Sequence, residues 1–564
     1  MKKLISVLLL LATLVLPLAS CGGKKGSDAT TDATVGSGAS ETTAERTTVA
    51  ATTEDPKWLE IAPKVAMVTE KDRTLKIELS SHGDAEKTSK NDKYVVGPDE
   101  VVPGTTPRIE QLVYERNKAA CDLLQVKPEY TYWDYAWSKQ AEQITMVVQG
   151  HAPDAPDLFV NMISDLNVAN LNGVFKDVWS IPNSFFDFEA QGWMTDYMKS
   201  LSLTGDRSYV LAGDYFLDVL RALGVIPVNI TMMDANAEKL AGVILEEGET
   251  LGENEELSTY FFDFVEKGKW TWDVLGKLCE AIWVDENNDG QDSITDVLGI
   301  VADNHGGLTS EMYIFSASED DLFDVKRIED ESSQYNNKDW IYYSEDPTAL
   351  GKIFDAVAAV YAGKGSVGTK NSYEGSTPEN PGATYHRIKF AEGTLLTAGT
   401  VVLGALEDEQ FQQMEDLFTV VPLPKISEEK HYNTCIHTIG DAGAINVNVN
   451  PRKARAISAF LQYCCEHSSA IRREFLEIVM KYKTTTYNQG TDRMLDIIYD
   501  SVITGRDKMI EDCVGTTYRF FWVMMVGNSE VTSSELVSNY ASYIKTKQAK
   551  LDKILAAWYE LPKS

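Results

Sequence analysis

The sequence is short of basic residues and of cysteine, and it has no long apolar run after its first twenty residues. Its 564 residues hold 52 Lys and Arg against 85 Asp and Glu, a formal net charge of −33 at pH 7. This argues against a nucleic-acid partner and against adhesion to anionic lipid, because both need a surplus of positive charge. Seven cysteines are too few for a disulfide scaffold. Beyond residue 20 no apolar run approaches the roughly 18 residues that span a bilayer.

The sequence also lacks the common catalytic motifs. Its seven histidines form no H-E-x-x-H pair, and there is no G-x-S-x-G nucleophile elbow. A G-x-G-x-x-G match at residues 363–368 precedes a loop-like segment rather than a helix, so a dinucleotide site is not expected. We therefore predict that the protein is not an enzyme, although 85 acidic residues leave a pair of glycosidase carboxylates open.

The first twenty residues have the pattern of an export signal. Lys2 and Lys3 precede the apolar run 4–19, and small residues follow it. Residues 18–21, Leu-Ala-Ser-Cys, resemble a bacterial lipobox. That resemblance implies cleavage after residue 20 and a diacylglyceryl group on Cys21, whose two acyl chains would anchor the protein to the cell membrane.

Residues 21–57 are predicted to be a tether. Twenty-three of the 33 residues in 22–54 are Thr, Ala, Gly or Ser, and such a segment cannot bury enough surface to fold. It would hold the folded part on the order of 30 Å from the membrane.

From about residue 58 the pattern is that of an α/β protein. The segments 74–79, 157–160 and 224–228 read as strands, and 107–124 reads as an amphipathic helix. Strands that alternate with helices at this spacing predict a parallel sheet. Four helices are predicted near the C-terminal end, at 452–465, 470–480, 492–503 and 534–558.

An ordered set of short segments resembles the family 1 extracellular solute-binding proteins of ABC importers, the class that includes maltose-binding protein. The match spans about residues 105–500 and consists of 109–124, 155–158, 173–178, 213–232, 268–273, 390–393 and 420–425. The resemblance implies a type II periplasmic-binding-protein-like fold, with two lobes, a hinge between them and C-terminal helices. Lobe 1 would comprise 58–229 and about 405–448, and lobe 2 would comprise 230–404 and about 449–564.

The same resemblance implies a function and partners. The lobes would close on a carbohydrate, and the protein would deliver it to the transmembrane subunits of an ABC permease. We expect a monomer that lies outside the cytoplasm and reaches the membrane only through its lipid anchor. The alternatives are a binder of peptides or other polar nutrients, a surface enzyme that acts on glycosides, and an adhesion or signalling lipoprotein.

Five residues are candidates for ligand binding. Sugar sites combine aromatic faces with carboxylates or amides, and the resemblance places such side chains at strand ends that face the cleft. The candidates are Trp133, Trp137, Asn161, Asp214 and Tyr215. Core packing is the alternative for Trp133 and Tyr215, and a turn or helix-cap role is the alternative for Asp214.

Residues 285–296 have the spacing of an EF-hand calcium loop. Oxygen-bearing side chains stand at loop positions 1, 3, 5, 9 and 12, Gly290 stands at position 6, and position 7 would offer its backbone carbonyl. The predicted ligands are Asp285, Asn287, Asp289, Gln291, Ser293 and Asp296. We expect a structural Ca²⁺ here, and the alternative is a metal-free surface turn.

Overall fold

The computed structural model describes the chain from Asp55 onward, with gaps, and the described residues belong to one unit, Asp55–Ser564. The described residues are 55–81, 91–133, 139–253, 255–302, 323–327, 329, 331, 339–343, 347–368, 385–480, 488–502, 505–514 and 532–561. Cys21, the signal segment, most of the tether and Trp137 lie outside them.

The described elements are eleven strands and nineteen α-helices, with one π-helical and one 3-10 segment. The strands are β1 Thr74–Ser80, β2 Lys127–Trp133, β3 Leu158–Met162, β4 Gly224–Asn229, β5 Ile300–Val301, β6 Phe323–Arg327, β7 Asp339–Tyr343, β8 Ser366–Val367, β9 Val401–Val402, β10 Phe418–Val421 and β11 Asp441–Ile445. The helices are α1 Pro56–Ala66, α2 Glu70–Arg73, α3 Arg108–Leu124, α4 Gln140–Gln149, α5 Ile163–Asn170, α6 Thr195–Ser200, α7 Leu217–Arg221, α8 Ile230–Ala235, α9 Ala237–Ile244, α10 Leu257–Glu266, α11 Trp272–Ile282, α12 Pro347–Ala362, α13 Tyr385–Ala391, α14 Glu409–Gln413, α15 Pro451–Glu466, α16 Ser469–Met480, α17 Asn488–Asp500, α18 Arg506–Val514 and α19 Ser533–Glu560. The π-helical segment is Asp92–Val96, and the 3-10 segment is Leu403–Glu407.

The main sheet has four strands in the order β11-β3-β1-β2. β1 runs parallel to both β2 and β3, and β11 runs antiparallel to β3. All five residues of β3 are buried, as expected for a strand covered on both faces. The predicted mixed α/β fold with a parallel sheet is confirmed.

Helix α3 packs against α1, α15, α16 and the π-helical segment. Its buried residues include Ile109, Val113, Ala120 and Leu124, which recur at the spacing of one helix face. It ends where Gln125 takes a left-handed conformation, with φ of 53°. The helix predicted at 107–124 is therefore confirmed.

A second, smaller parallel sheet pairs β5 with β8. Both strands come from the segment assigned to lobe 2, whereas all strands of the main sheet come from the segments assigned to lobe 1. A third sheet forms where β4 pairs antiparallel with both β10 and β9. After the calcium-like loop, Val297 and Leu298 form single bridges before β5 begins at Ile300.

The C-terminal helices pack against two different parts of the chain. Helices α15 and α16 lie against α3 of the main-sheet region, whereas α17 lies against α10 and β10. The predicted grouping placed the whole of 449–564 with lobe 2, and these contacts join α15 and α16 to α3, which belongs to the segment assigned to lobe 1. The lobe boundaries themselves stay a prediction.

The longest helix, α19, has 28 residues. Its start is fixed by a capping box, in which Thr532 and Glu535 each bond the other's backbone N–H. Within the described ranges, no helix combines the length and apolarity needed to cross a membrane.

Candidate functional site at the carboxyl edge of the main sheet

The carboxyl ends of β1, β2 and β3 meet at one edge of the main sheet, where ligands of α/β proteins usually bind. Register places Ser80 beside Trp133, and Leu79 beside Val160. Because β11 runs the other way, it begins at this edge, with Asp441 beside Met162.

Six buried polar side chains gather here, and we call them the edge cluster. Each is at most 5% exposed. They are Glu78, Asn91, Gln140, Asn161, Asp165 and Asp441.

Asn161 is at the centre of the edge cluster. Its side-chain nitrogen lies 3.3 Å from each carboxyl oxygen of Glu78 and 3.4 Å from Oε1 of Gln140. Its Oδ1 accepts the backbone N–H of Met162 at 2.9 Å. These bonds fix the amide orientation, so Asn161 links β1, β3 and α4.

Asp441 connects the cluster to its surroundings from the β11 side. Its Oδ2 accepts the Asn91 amide N–H at 2.8 Å, and its backbone N–H donates to Asp218 at 2.8 Å. Asp165 accepts the backbone N–H of Ala141 in the first turn of α4, at 3.0 Å. Five separate stretches of chain therefore build the edge.

The electrostatic environment favours the neutral form of Glu78. Burial raises the pKa of this carboxyl well above its usual value, and the negative charges of Asp441 and Asp165 raise it further against the opposing bond from Asn161. A protonated carboxyl both donates and accepts hydrogen bonds, as do the amides of Asn161 and Gln140. Hydroxyl groups of a ligand need that combination.

Of the predicted ligand-binding residues, Trp133 and Asn161 lie at this edge. Trp133 is half-buried at the end of β2 and packs edge-on against Phe159, with 5.8 Å between ring centroids. Ser81 donates a hydrogen bond to the Trp133 carbonyl at 2.7 Å. Trp137 lies outside the described residues.

Asp214 and Tyr215 lie in the interior instead. Asp214 is 3% exposed and pairs with Arg472 of α16 at 3.0 Å, and burial raises its pKa to about 6 against the lowering effect of Arg472. Tyr215 is fully buried between Phe460 and the Arg116 guanidinium, whose carbon lies 4.9 Å from the ring centroid. Both positions correspond to the packing alternatives, and their role in ligand binding stays a prediction.

Five residues of the edge cluster were not predicted from the sequence: Glu78, Asn91, Gln140, Asp165 and Asp441. The alternation in 74–79 places Glu78 on the same face of its strand as Thr74 and Lys76, so the local pattern does not indicate that it is buried. The other four join the site through contacts with other segments of the chain.

The calcium-like loop has its polar side chains turned toward its own backbone. Asp285 accepts the N–H groups of Asp289 and Gly290 at 3.2 and 2.7 Å, and Asp296 accepts that of Ser293 at 2.8 Å. Gly290 has φ of 75°, the left-handed turn for which the loop pattern requires glycine. In the described part of the chain, no group of three or more His, Cys, Asp or Glu is placed to hold a metal ion.

Comparison with known proteins gives structural neighbours only. No family model and no curated protein matches the chain. An ABC substrate-binding protein from Listeria monocytogenes, solved with cycloalternan, is similar at 12% identity and a TM-score of 0.47, over 84% of this chain and 99% of that one. A cyclo/maltodextrin-binding protein solved with maltotetraose is 13% identical with a TM-score of 0.48, over 84% of this chain and 97% of that one. A family 1 extracellular solute-binding protein from Bifidobacterium longum subsp. infantis is 13% identical with a TM-score of 0.47, over 86% of this chain and 98% of that one.

Proposed function

We propose that this chain is the substrate-binding component of an ABC importer, which captures a carbohydrate between two lobes and delivers it to a permease. The observation that carries the proposal is the edge cluster with the half-buried Trp133 beside it. An indole can cover the apolar face of a sugar ring, while amides and carboxyls bond its hydroxyls. The ordered family-like segments of the sequence point to the same function.

The solved neighbours bear on the ligand only by analogy. Two of them were crystallised with saccharides, cycloalternan and maltotetraose. For this chain the proposal rests on its own side chains. The edge cluster combines the amides of Asn91, Gln140 and Asn161 with carboxyl groups, and such mixed donors and acceptors suit the hydroxyl groups of a saccharide.

A saccharide screen tests the proposed function. The chain would be prepared without acylation, as the Cys21→Ser variant, and titrated calorimetrically with oligosaccharides of two to six units. We expect one or more to bind and to be recovered intact by chromatography. Recovery of shorter products would instead indicate the glycoside-acting enzyme, and binding of peptides alone would indicate the other class of receptor.

We also propose that Cys21 carries the lipid anchor and that the importer is a membrane neighbour. Two acyl chains give stable attachment where one gives only reversible binding. Mass spectrometry of the mature N-terminal peptide should show the diacylglyceryl group, and Cys21→Ser should release the protein into the medium. An unmodified Cys21 would remove this part of the proposal.

We propose, finally, that residues 285–296 hold a structural Ca²⁺. The donors there are oxygens, which Ca²⁺ prefers, and Gly290 provides the sharp turn that gathers them. Side-chain oxygens would come from Asp285, Asn287, Asp289, Ser293 and Asp296, and a backbone carbonyl from Gln291. A bound ion would brace the loop. This loop lies apart from the edge cluster in the chain, so its role would be stability.

A further inference from the structure

A groove of about 490 Å³ lies between α10, α17 and the segment 431–432. Its volume falls within the roughly 300–1,000 Å³ of small-molecule sites. None of its residues belongs to the edge cluster. The lining residues are Glu266, His431, Tyr432, Arg493, Asp496, Ile497, Asp500 and Ser501.

One wall of the groove is a single stripe of α17. Arg493, Asp496, Ile497 and Asp500 stand at i, i+3, i+4 and i+7, so they share one face of the helix. Two carboxylates four residues apart on a helix repel each other, at a cost of a few tenths of a kcal/mol. Within the described part of the chain, Arg493 pairs with Asp263, 2.9 Å away, and with Glu266, rather than with these two carboxylates. Asp496 and Asp500 are exposed and can accept hydrogen bonds from a ligand.

Tyr432 adds a fixed aromatic ring to the lining of the groove. The Tyr432 hydroxyl donates to the Val265 carbonyl at 2.7 Å, which holds the half-buried ring in place. The Lys425 ammonium lies 5.0 Å from the ring centroid, over one face. That cation already takes the position that an organic ammonium would seek on the ring, so the groove is poorly suited to a second cation.

From this geometry we propose that the groove is a second saccharide site, one that takes a single sugar unit against Tyr432 and Ile497. The ring and the aliphatic side chain cover the apolar face of the sugar, Asp496 and Asp500 accept its hydroxyl protons, and the Arg493 guanidinium donates to its oxygens. The proposal rests on the proposed function, because it assigns the same ligand class to a separate surface. A weak second site would hold a long glycan at two places on one chain and so raise its overall affinity.

The test counts binding sites on the full chain carrying Cys21→Ser. Calorimetry and equilibrium dialysis would use the same panel of oligosaccharides of two to six units. We expect two sites per chain, the second weaker than the first. The double variant Asp496→Ala/Asp500→Ala should lose at least tenfold in affinity at the second site only. Asp492→Ala is the matched control, because Asp492 is an exposed carboxylate on the same helix outside the groove, and it should keep both sites.

The outcomes separate this inference from the proposed function. If the chain without groove substitutions binds saccharide at one site only, or if both sites survive the double substitution, the second site is overturned and the receptor function is left intact. If no saccharide binds to the chain at all, both the second site and the proposed function are overturned. Spermidine is the probe for the alternative ligand class, and its binding with loss in the double variant would replace the saccharide assignment. Thermal unfolding of each variant confirms that a lost site is not a lost fold.

Discussion

At the residue scale, Glu78 controls the chemistry of the edge cluster. The groups that shift the pKa of Glu78 include no cation. Such a buried carboxyl is unusual, because buried acidic side chains are normally paired. Its neutral form matches hydroxyl ligands, and its ionised form would add a third negative charge beside Asp165 and Asp441. The proposed saccharide recognition at this edge would therefore depend on a proton retained by Glu78.

We predict that Glu78→Gln flattens the pH dependence of stability. Because the folded-state pKa of Glu78 is raised, its contribution is fully present below the usual carboxyl pKa and is lost as pH rises through the folded value. The free energy of unfolding should therefore fall as pH rises above the usual carboxyl pKa, with a slope from this one group of at most about 1.4 kcal/mol per pH unit. Urea unfolding at several pH values measures the difference between the two proteins.

The control for this experiment is Glu129→Gln, an exposed carboxylate on β2. It should leave the slope unchanged. Asp214 and Asp512, whose pKa values burial raises to about 6, titrate in all three proteins and cancel in the comparison. Equal slopes for the native protein and Glu78→Gln would show that Glu78 does not hold a proton.

Asp214 gives a second prediction at this scale. Arg472→Met should destabilise the fold by about 3 kcal/mol, because it leaves a buried carboxylate without its partner. Adding Asp214→Asn should restore part of that loss, whereas Arg473→Met, an exposed neighbour on α16, should change stability by less than about 0.5 kcal/mol. Chemical denaturation measures these changes. Loss of saccharide binding in a folded Asp214→Asn protein would instead support the ligand role.

At the element scale, the strands and helices follow from local pattern, and their partners do not. The alternation in 74–79 and the periodicity in 107–124 are sufficient for β1 and α3, whose observed bounds differ by one residue. Nothing local indicates that β11 pairs with β3, since pairing depends on the surfaces of both. The edge cluster was therefore predicted only at Asn161, which follows its own strand segment.

The calcium-like loop gives a prediction at the same scale. Ca²⁺ at about 100 times its dissociation constant should stabilise the chain by about 2.7 kcal/mol relative to EGTA. Asp285→Asn/Asp289→Asn should remove that effect, because it removes two of the proposed anionic ligands. Thermal unfolding with and without the ion measures it.

Asp292→Asn is the control within the same loop. Asp292 stands outside the predicted ligand set, and its Oδ1 accepts the Gly365 N–H at 3.0 Å. This variant should be less stable in both conditions and still respond to calcium. Identical unfolding of the native chain in Ca²⁺ and in EGTA would favour a metal-free turn.

At the scale of the whole molecule, binding and closure should be coupled. A saccharide held by residues of both lobes favours the closed state only through contacts that the open state lacks. We predict that a bound oligosaccharide at 100 times its dissociation constant raises the free energy of unfolding by about 2.7 kcal/mol and decreases the radius of gyration. Calorimetry and small-angle scattering measure the two effects. A non-binding saccharide from the same panel is the control, and binding without compaction would contradict hinge closure.

The order of strands in the main sheet has a consequence for biogenesis. β11 completes the sheet beside β3, yet it is made almost three hundred residues later. Such distant pairing is slow to form, and synthesis adds only about 5–20 residues per second. During that interval the main sheet lacks the strand that completes one of its edges. For a chain exported as proposed, the incomplete sheet would delay folding while the nascent protein crosses the translocation channel.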